Sequence, residues 1–365
     1  MKVVRFIYLL LTSTFLLACS VDEDESGSVV QGVSERIPIN WDVESAYAPI
    51  GSRALIDNNL LEARCTPKSD GTCESIGIWG QYVATKNGQA TTYVEFDSTP
   101  LTFAPKEEDT NPHNSWNYPG ESRYWENGAM YYFRACYPLD LMKNLMTQMD
   151  ATVLQGGPIN TSVLQEDILV AVNHVNTITA SLTKPVQLDL QHVFAAIRFK
   201  IKADDGFTPP EGEAVTSCWL QNTTEATDLF SPSGYLVHSG DEKSDIKWYT
   251  YESSKSPMYI WKHKGVPFDT ENLLYTPNDG MQGDEYTNND GWLLVVPQEV
   301  KEETLTFCYT MKNTGDMVFT TKIPHITYEC GKQYTYILEI RGSGVDITLK
   351  IADWNKIDSS HDIIL

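Results

Sequence analysis

Apolar and polar residues alternate with a period of two along most of this chain, and turn residues separate one alternating run from the next. The first run is RIPINWDV, where Ile37, Ile39, Trp41 and Val43 share one face and Pro38, Asn40 and Asp42 share the other. That alternation predicts a half-buried strand. The same pattern recurs at SIGIWGQYVA (75–84), TTYVEF (91–96), MYYFRACYP (130–138), DILVAVNHV (167–175), PVQLDL (185–190) and FAAIRFKIKA (194–203). In the second half it returns at CWLQN (218–222), WLLVVPQ (292–298), TLTFCYTM (304–311), VFTTKIP (318–324), YTYILEIRG (334–342) and VDITLKIADW (345–354). Between the runs lie Asn87-Gly88, Asp205-Gly206, Asp279-Gly280, Asp290-Gly291 and Asn313-Thr314-Gly315, residue types that accept the positive φ of tight turns. Only LDLMKNLMTQMDATVLQ (139–155) carries a helical period, with Leu141, Leu145 and Met149 on one face. Many short strands and one short helix predict an all-β chain built from sandwiches.

The N-terminus obeys different rules. Lys2 and Arg5 precede the apolar run FIYLLLTSTFLLA, which is shorter than the roughly 20 residues of a membrane-spanning helix. This is the pattern of a secretory signal peptide over residues 1–18, with the small residue Ala18 ahead of the cut. The next residue is Cys19, and Leu16-Leu17-Ala18-Cys19 resembles a bacterial lipobox, which implies a lipid on Cys19. Acyl chains contribute roughly 0.8 kcal/mol per buried CH₂, enough for a multiply acylated cysteine to hold a soluble domain at a membrane. Residues 19–35 are acidic, rich in Ser, Gly and Val, and free of aromatics, so they read as a flexible tether. At 365 residues the chain exceeds one typical core. Lys184-Pro185 breaks it before a fresh strand, predicting an N-terminal domain at 36–185 and a C-terminal domain at 186–365.

Composition narrows the chemistry. With 27 Lys and Arg against 49 Asp and Glu the formal charge is −22, which argues against binding nucleic acid or anionic headgroups. Besides Cys19 there are Cys65, Cys73, Cys136, Cys218, Cys308 and Cys330, an even set that permits disulfides in an exported protein. Cys65 and Cys73 bracket the turn-rich TPKSDGT and are a candidate local bridge, whereas Cys136, Cys218 and Cys308 stand among apolar neighbours that suit buried thiols. The sequence has no Gly-x-Ser-x-Gly elbow, no His-Glu-x-x-His, no phosphate loop and no Cys-x-x-Cys, so it reads as a non-enzyme without cofactor or metal. His192 reads as a structural histidine. The run 278–291 is rich in oxygen donors, with Asp284, Glu285 and Asp290, but lacks EF-hand spacing and reads as a polar hairpin loop rather than a calcium site. Trp116, Trp125, Trp248 and Trp261 stand in polar surroundings, where tryptophans either stack on sugars or fill thin β cores. Asn160-Thr161-Ser162 and Asn222-Thr223-Thr224 fit glycosylation sequons.

Several segments in order resemble the fimbrillin family of Bacteroidetes surface lipoproteins. They are the lipobox, RIPINW followed by Ser52-Arg53-Ala54, YYFRACYP, EDILVAV, LDLQHVFAAIRFKI, WLLVVPQ, YECGKQYTYILEI and IADW. The resemblance implies two tandem transthyretin-like Greek-key sandwiches on an outer-membrane lipoprotein that polymerises with other pilin subunits and meets a host protein or glycan receptor. It also implies that an arginine-specific cut frees the first strand and that a neighbour's strand fills the groove. On this chain the displaceable strand is Arg36 to Val43, with Ile37, Ile39, Trp41 and Val43 facing the core, and the cut falls between Arg53 and Ala54. Arg36 would leave the strand in place and Arg64 would cut deeper. The donor strand is VDITLKI, with Val345, Ile347, Leu349 and Ile351 inward, followed by a tail that ends in Ile363, Ile364 and Leu365. The reading from a different class is a surface glycan-binding lipoprotein of a nutrient-uptake system.

Overall fold

The two-residue period becomes sheet throughout. The structure, a computed structural model, describes residues 36–45, 56–104, 115–203, 206, 208, 211, 214–223, 230–240, 245–251, 258–267, 292–302, 304–314, 317–341, 344–353 and 363–364. In chain order the first elements are β1 (Trp41–Ser45), α1 (Asn58–Cys65), β2 (Ile76–Lys86), β3 (Gln89–Phe103), β4 (Trp116–Asn117) and β5 (Met130–Tyr137). They continue with α2 (Leu139–Leu145), β6 (Met146–Met149), β7 (Leu154–Asn160), β8 (Leu169–Asn176) and β9 (Val186–His192). Then come β10 (Ala195–Ala203), β11 (Ala214–Asn222), β12 (Ser233–His238), β13 (Ile246–Thr250), β14 (Met258–Pro267), β15 (Leu293–Val295) and β16 (Gln298–Val300). The last are β17 (Leu305–Met311), β18 (Val318–Lys322), β19 (Ile326–Tyr328), β20 (Lys332–Arg341), β21 (Gly344–Asp353) and β22 (Ile363–Ile364).

Two departures from the sequence pattern have local causes. The helix expected over 139–155 stops at Leu145, and the chain turns into the hairpin β6-β7. Asp150 makes that turn, its Oδ1 accepting the N–H groups of Thr152 (2.8 Å) and Val153 (2.9 Å). Gly156 makes the pairing possible, since a Cβ there would lie 2.4 Å from the Met146 Cα. Helix α1 has no apolar period; it begins where Asp57 Oδ1 accepts the Leu60 N–H at 2.7 Å, and it buries Leu61 and Cys65.

The first sheet runs β1-β4-β3-β2-β5-β8-β9 and closes on itself. Closure depends on β1, which pairs with β4 at Trp41↔Trp116 and runs parallel to β9 from Trp41↔Val186 to Ser45↔Leu190. Thus β9, which lies just past the expected division at 185, completes the sheet begun by β1. Inside lie Trp41, Ile78, Phe96, Tyr131, Phe133 and Leu188 with their neighbours.

After Phe194 the chain builds a sandwich. Sheet β15-β10-β20-β21-β22 faces sheet β14-β11-β17-β18 across Phe199, Leu220, Phe307, Tyr336 and Leu338. A further sheet, β13-β12-β7-β6, takes strands from both halves of the sequence. It covers the outer face of the first sheet, where Trp79, Cys136 and Val170 meet Leu154, Leu236 and Leu294 in a third core. Residues Ile37–Leu365 are accordingly one compact unit.

The β2-β3 hairpin turns through Asn87 (φ 54°) and Gly88 (φ 79°) between Lys86↔Gln89, the two-residue geometry that Asn-Gly favours. No neighbouring atom lies within 4 Å of a Cβ built on Gly88, so only backbone strain opposes a side chain there. Gly88→Ala therefore lowers stability by about 1 kcal/mol in urea unfolding, with the fold unchanged by circular dichroism.

Candidate functional site

The alternation of RIPINWDV is a core-facing stripe. Ile39, Trp41 and Val43 are buried, while Ile37 is half-buried at the entrance. Their strand is hydrogen-bonded along both edges. On one side Val186 donates to Asn40 O at 2.7 Å, and the parallel ladder with β9 extends from there. On the other, Ile39 N–H donates to Arg123 O (2.8 Å), Trp125 N–H donates to Ile37 O (3.1 Å), and Pro38 bridges Tyr124. The strand is therefore the closing stave of a sheet, with partners on both flanks.

Trp41 occupies the middle. Its ring meets Phe96 and Phe133 edge-on, each at 5.2 Å between centroids, and it is 1 % exposed. Phe96 in turn carries Tyr118 at 5.4 Å and the Arg123 guanidinium at 5.2 Å. Neither phenylalanine is marked in the sequence as part of a strand's seat; each is one inward residue among several on β3 and β5.

The far end of β1 is tied to residues 56–58. Ser45 N–H donates to Asn58 Oδ1, and Ser45 Oγ to Ile56 O at 3.4 Å. Ile56 N–H donates to Asp167 Oδ2 at 3.1 Å, and the same oxygen lies 2.7 Å from His192 Nδ1. Asp167 and His192 are buried, so a carboxylate and an imidazole at the base of β8 and β9 fix the chain where it re-enters the fold. His192 is buried at the end of β9 with Asp167 as its partner, and Asp167 carries no sequence signal beyond its position before an apolar run. Arg53 and Ala54 lie between these anchored ends, outside the described residues, as do Ala18, Cys19 and the loop 278–291.

At the other end of the chain, β21 pairs antiparallel with β20 from Lys332↔Asp353 to Arg341↔Gly344. Leu349 is buried, and Ile347 and Ile351 pack against the second core. On its outer edge β21 meets β22 only at Lys350↔Ile364 and Ile351↔Ile363. The candidate donor strand is thus seated in its own sheet, with most of one edge carrying no ladder among the described strands. Val345 falls at Ile340 in the register.

Cys65 is buried on the inward face of α1 and Cys73 is half-buried on the returning turn, and neither is bonded in this structure. Glu74 N–H donates to Arg64 O at 3.0 Å and closes the turn between them. Burial pushes the Cys65 thiol up to about 12 and Cys308 up to about 11. Cys136 and Cys218 are also raised by burial. Among the described residues, no group of three or more His, Cys, Asp or Glu could hold a metal ion.

Three of the four tryptophans considered as sugar-stacking faces are packed within the fold. Trp116 is buried, and Trp248 Nε1 donates to Val193 O at 2.7 Å. Trp125 stands edge-on to Tyr131 at 4.8 Å, and the side chain of Trp261 is outside the described residues. Asn222 is buried, and both ends of its amide bond Phe230, so that sequon is closed in the fold.

Residues 64–354 match the family model described as fimbrillin-like. The fold is similar to that of a fimbrial protein from Bacteroides vulgatus, at 14 % identity and a TM-score of 0.56, covering 87 % of this chain and 99 % of that one. It is also similar to a candidate cell adhesion protein from Bacteroides ovatus, at 17 % identity and a TM-score of 0.51, covering 88 % of this chain and 99 % of that one. No curated protein matches the chain.

The geometry of the site sets two expected outcomes. Asp167→Ala removes the acceptor shared by Ile56 and His192 and lowers stability by about 3 kcal/mol in denaturant, while Asp167→Asn keeps one acceptor and costs less. In native protein at pH 8 a thiol reagent labels Cys73 and leaves Cys65 unmodified, because burial blocks access and withholds the thiolate; mass mapping of the label checks this.

Proposed function

The chain belongs to the fimbrillin-like family, and from that premise and the seat of β1 we propose that it is a structural, non-enzymatic subunit of a surface fimbria or adhesin, assembled by exchange of its first strand. The lipid on Cys19 holds the subunit at the outer membrane, with residues 19–35 as its tether. A cut between Arg53 and Ala54 separates β1 from the rest of the fold. The strand then leaves, and an extended segment of another subunit takes its place. The C-terminal strand with Val345, Ile347, Leu349 and Ile351, or the tail beyond it, is the candidate donor. A host protein or glycan is the candidate receptor at the cell surface.

The observation that carries this reading is the arrangement around β1. With the residues just before it, β1 inserts Ile39, Trp41 and Val43 between two backbone edges, and its link to the rest of the fold runs through the stretch that holds Arg53. Removing it uncovers the β9 edge, the backbone of 123–125 and an apolar slot between Phe96 and Phe133. Unpaired strand edges of this kind invite strand addition. The anchoring of Ile56 on Asp167 supports a break upstream of residue 56, since the chain from Ile56 onward stays bonded when β1 goes.

An arginine-specific protease is expected to cut folded protein after Arg53, to release a fragment ending there, and to yield polymers visible by size-exclusion chromatography. Arg53→Ala should stay intact and monomeric under the same treatment. Polymerisation of the uncut variant, or a cut at 53 with no change in mass distribution, would contradict the reading.

A further inference from the structure

The seat of β1 is poorly matched to the residue at its centre. Trp41 carries a ring N–H, and this buried Nε1 has no hydrogen-bond partner among the described residues. Its surroundings explain why: the indole is held edge-on by two hydrocarbon rings, Phe96 and Phe133, which offer no lone pair. The Nε1 of Trp125, on the segment that pairs with residues 37–39, is likewise buried and without a partner, and that indole also stands against Phe133, at 6.0 Å. Among the described residues the slot therefore holds two indole donors and supplies an acceptor to neither. A buried donor left unpaired carries its full desolvation penalty, whereas a hydrocarbon of similar shape carries none.

We propose that the slot selects an extended segment of a partner subunit that places phenylalanine where β1 places Trp41, with aliphatic side chains where β1 places Ile39 and Val43, running parallel to β9. Exchange is then biased energetically, since the incoming strand keeps the ladder and the ring packing and leaves no orphaned N–H of its own. The proposal rests on the strand-exchange reading above and deepens it by naming the partner's side-chain pattern. The orientation comes from the register Trp41↔Val186 to Ser45↔Leu190, and the spacing from the burial of residues 39, 41 and 43. This chain's own β21 presents only aliphatics at alternate positions, Val345, Ile347, Leu349 and Ile351, with no ring for the Phe96–Phe133 pocket. Its one segment with an aliphatic-x-Phe-x-aliphatic pattern near a strand centre of this kind, Ile197-Arg198-Phe199-Lys200-Ile201, lies in β10, with Ile197 and Phe199 buried in the sandwich. The pattern thus makes this chain's own β21 a weaker occupant of the slot than a segment with a phenyl ring at that place.

The test uses the full chain, treated with an arginine-specific protease, and three peptide probes: residues 36–47 as they stand, the same peptide with Trp41→Phe, and residues 344–353. Displacement of the native N-terminal fragment is monitored by mass spectrometry. The Trp41→Phe peptide is expected to displace the fragment at a concentration about tenfold lower than the unchanged peptide, and the 344–353 peptide to be weaker than the Trp41→Phe peptide. Equal or weaker displacement by the Trp41→Phe peptide, or stronger displacement by 344–353, would overturn the proposal. A second arm needs no exchange: in the uncut chain Trp41→Phe is expected to raise the thermal midpoint by about 2 °C, and Trp41→Ala to lower it. A lowered midpoint for Trp41→Phe would show that ring volume outweighs the unpaired N–H and would overturn the selection. If no probe releases the fragment while Trp41→Phe stabilises the chain, the exchange reading fails and the pocket's preference stands.

Discussion

One stave closes the first sheet, and a single short stretch of chain connects it to the rest of the fold. Residues 37–39 bond the 123–125 segment and β1 adds a five-residue parallel ladder with β9, so that this stretch buries Ile39, Trp41 and Val43. Each such side chain stabilises the fold by on the order of 2 kcal/mol when removed from water. Individually these are ordinary core contacts. Together they decide whether seven strands form a closed sheet or an open one with two bare edges. The same ladder supports the start of the sandwich, because β9 runs directly into β10 through His192, Val193 and Phe194, all buried. Through β9, β1 adjoins the connection between the closed sheet and the sandwich.

The rest of the molecule has anchors that do not involve β1. The third core, under β6, β7, β12 and β13, packs on the outer face of β2, β5 and β8, so those strands are held from the side that β1 does not touch. Asp167 and His192 fix the chain at Ile56 and at the end of β9. In the sandwich β20 and β21 pair over ten positions, and the Tyr328–Tyr336 hydroxyls meet at 2.8 Å inside the core. The chain is a member of the fimbrillin-like family, and the strand-exchange proposal turns on the seat of β1.

Strand identity was largely legible in the sequence because period two is a local property. Trp41 with Ile39 and Val43, the inward face of β5, and the alternation of β9, β17, β20 and β21 can each be read from a few residues. Pairing was not legible in the same way. That β1 lies parallel to β9, some 145 residues downstream in the register Trp41↔Val186, depends on where both strands are delivered by the intervening chain. Short strands such as β4, β6 and β19 carry too few alternations to register as a period, and β7, with Gly156, Gly157 and Pro158, carries none. Trp41 could be recognised as core from its alternation, whereas its unpaired N–H could be seen only once Phe96 and Phe133 were in place around it.

Hydrogen exchange across β9 tests the central claim most directly, because Val186 N–H bonds Asn40 O and the ladder beyond it belongs to β1 alone on that edge. In intact protein the amides of 186–190 that face β1 should be protected. After cleavage and loss of the N-terminal fragment they should exchange quickly, and in the assembled polymer, where another strand fills the slot, protection should return. Unchanged protection after the fragment has gone would contradict the account, since it would mean that the β9 edge does not depend on β1.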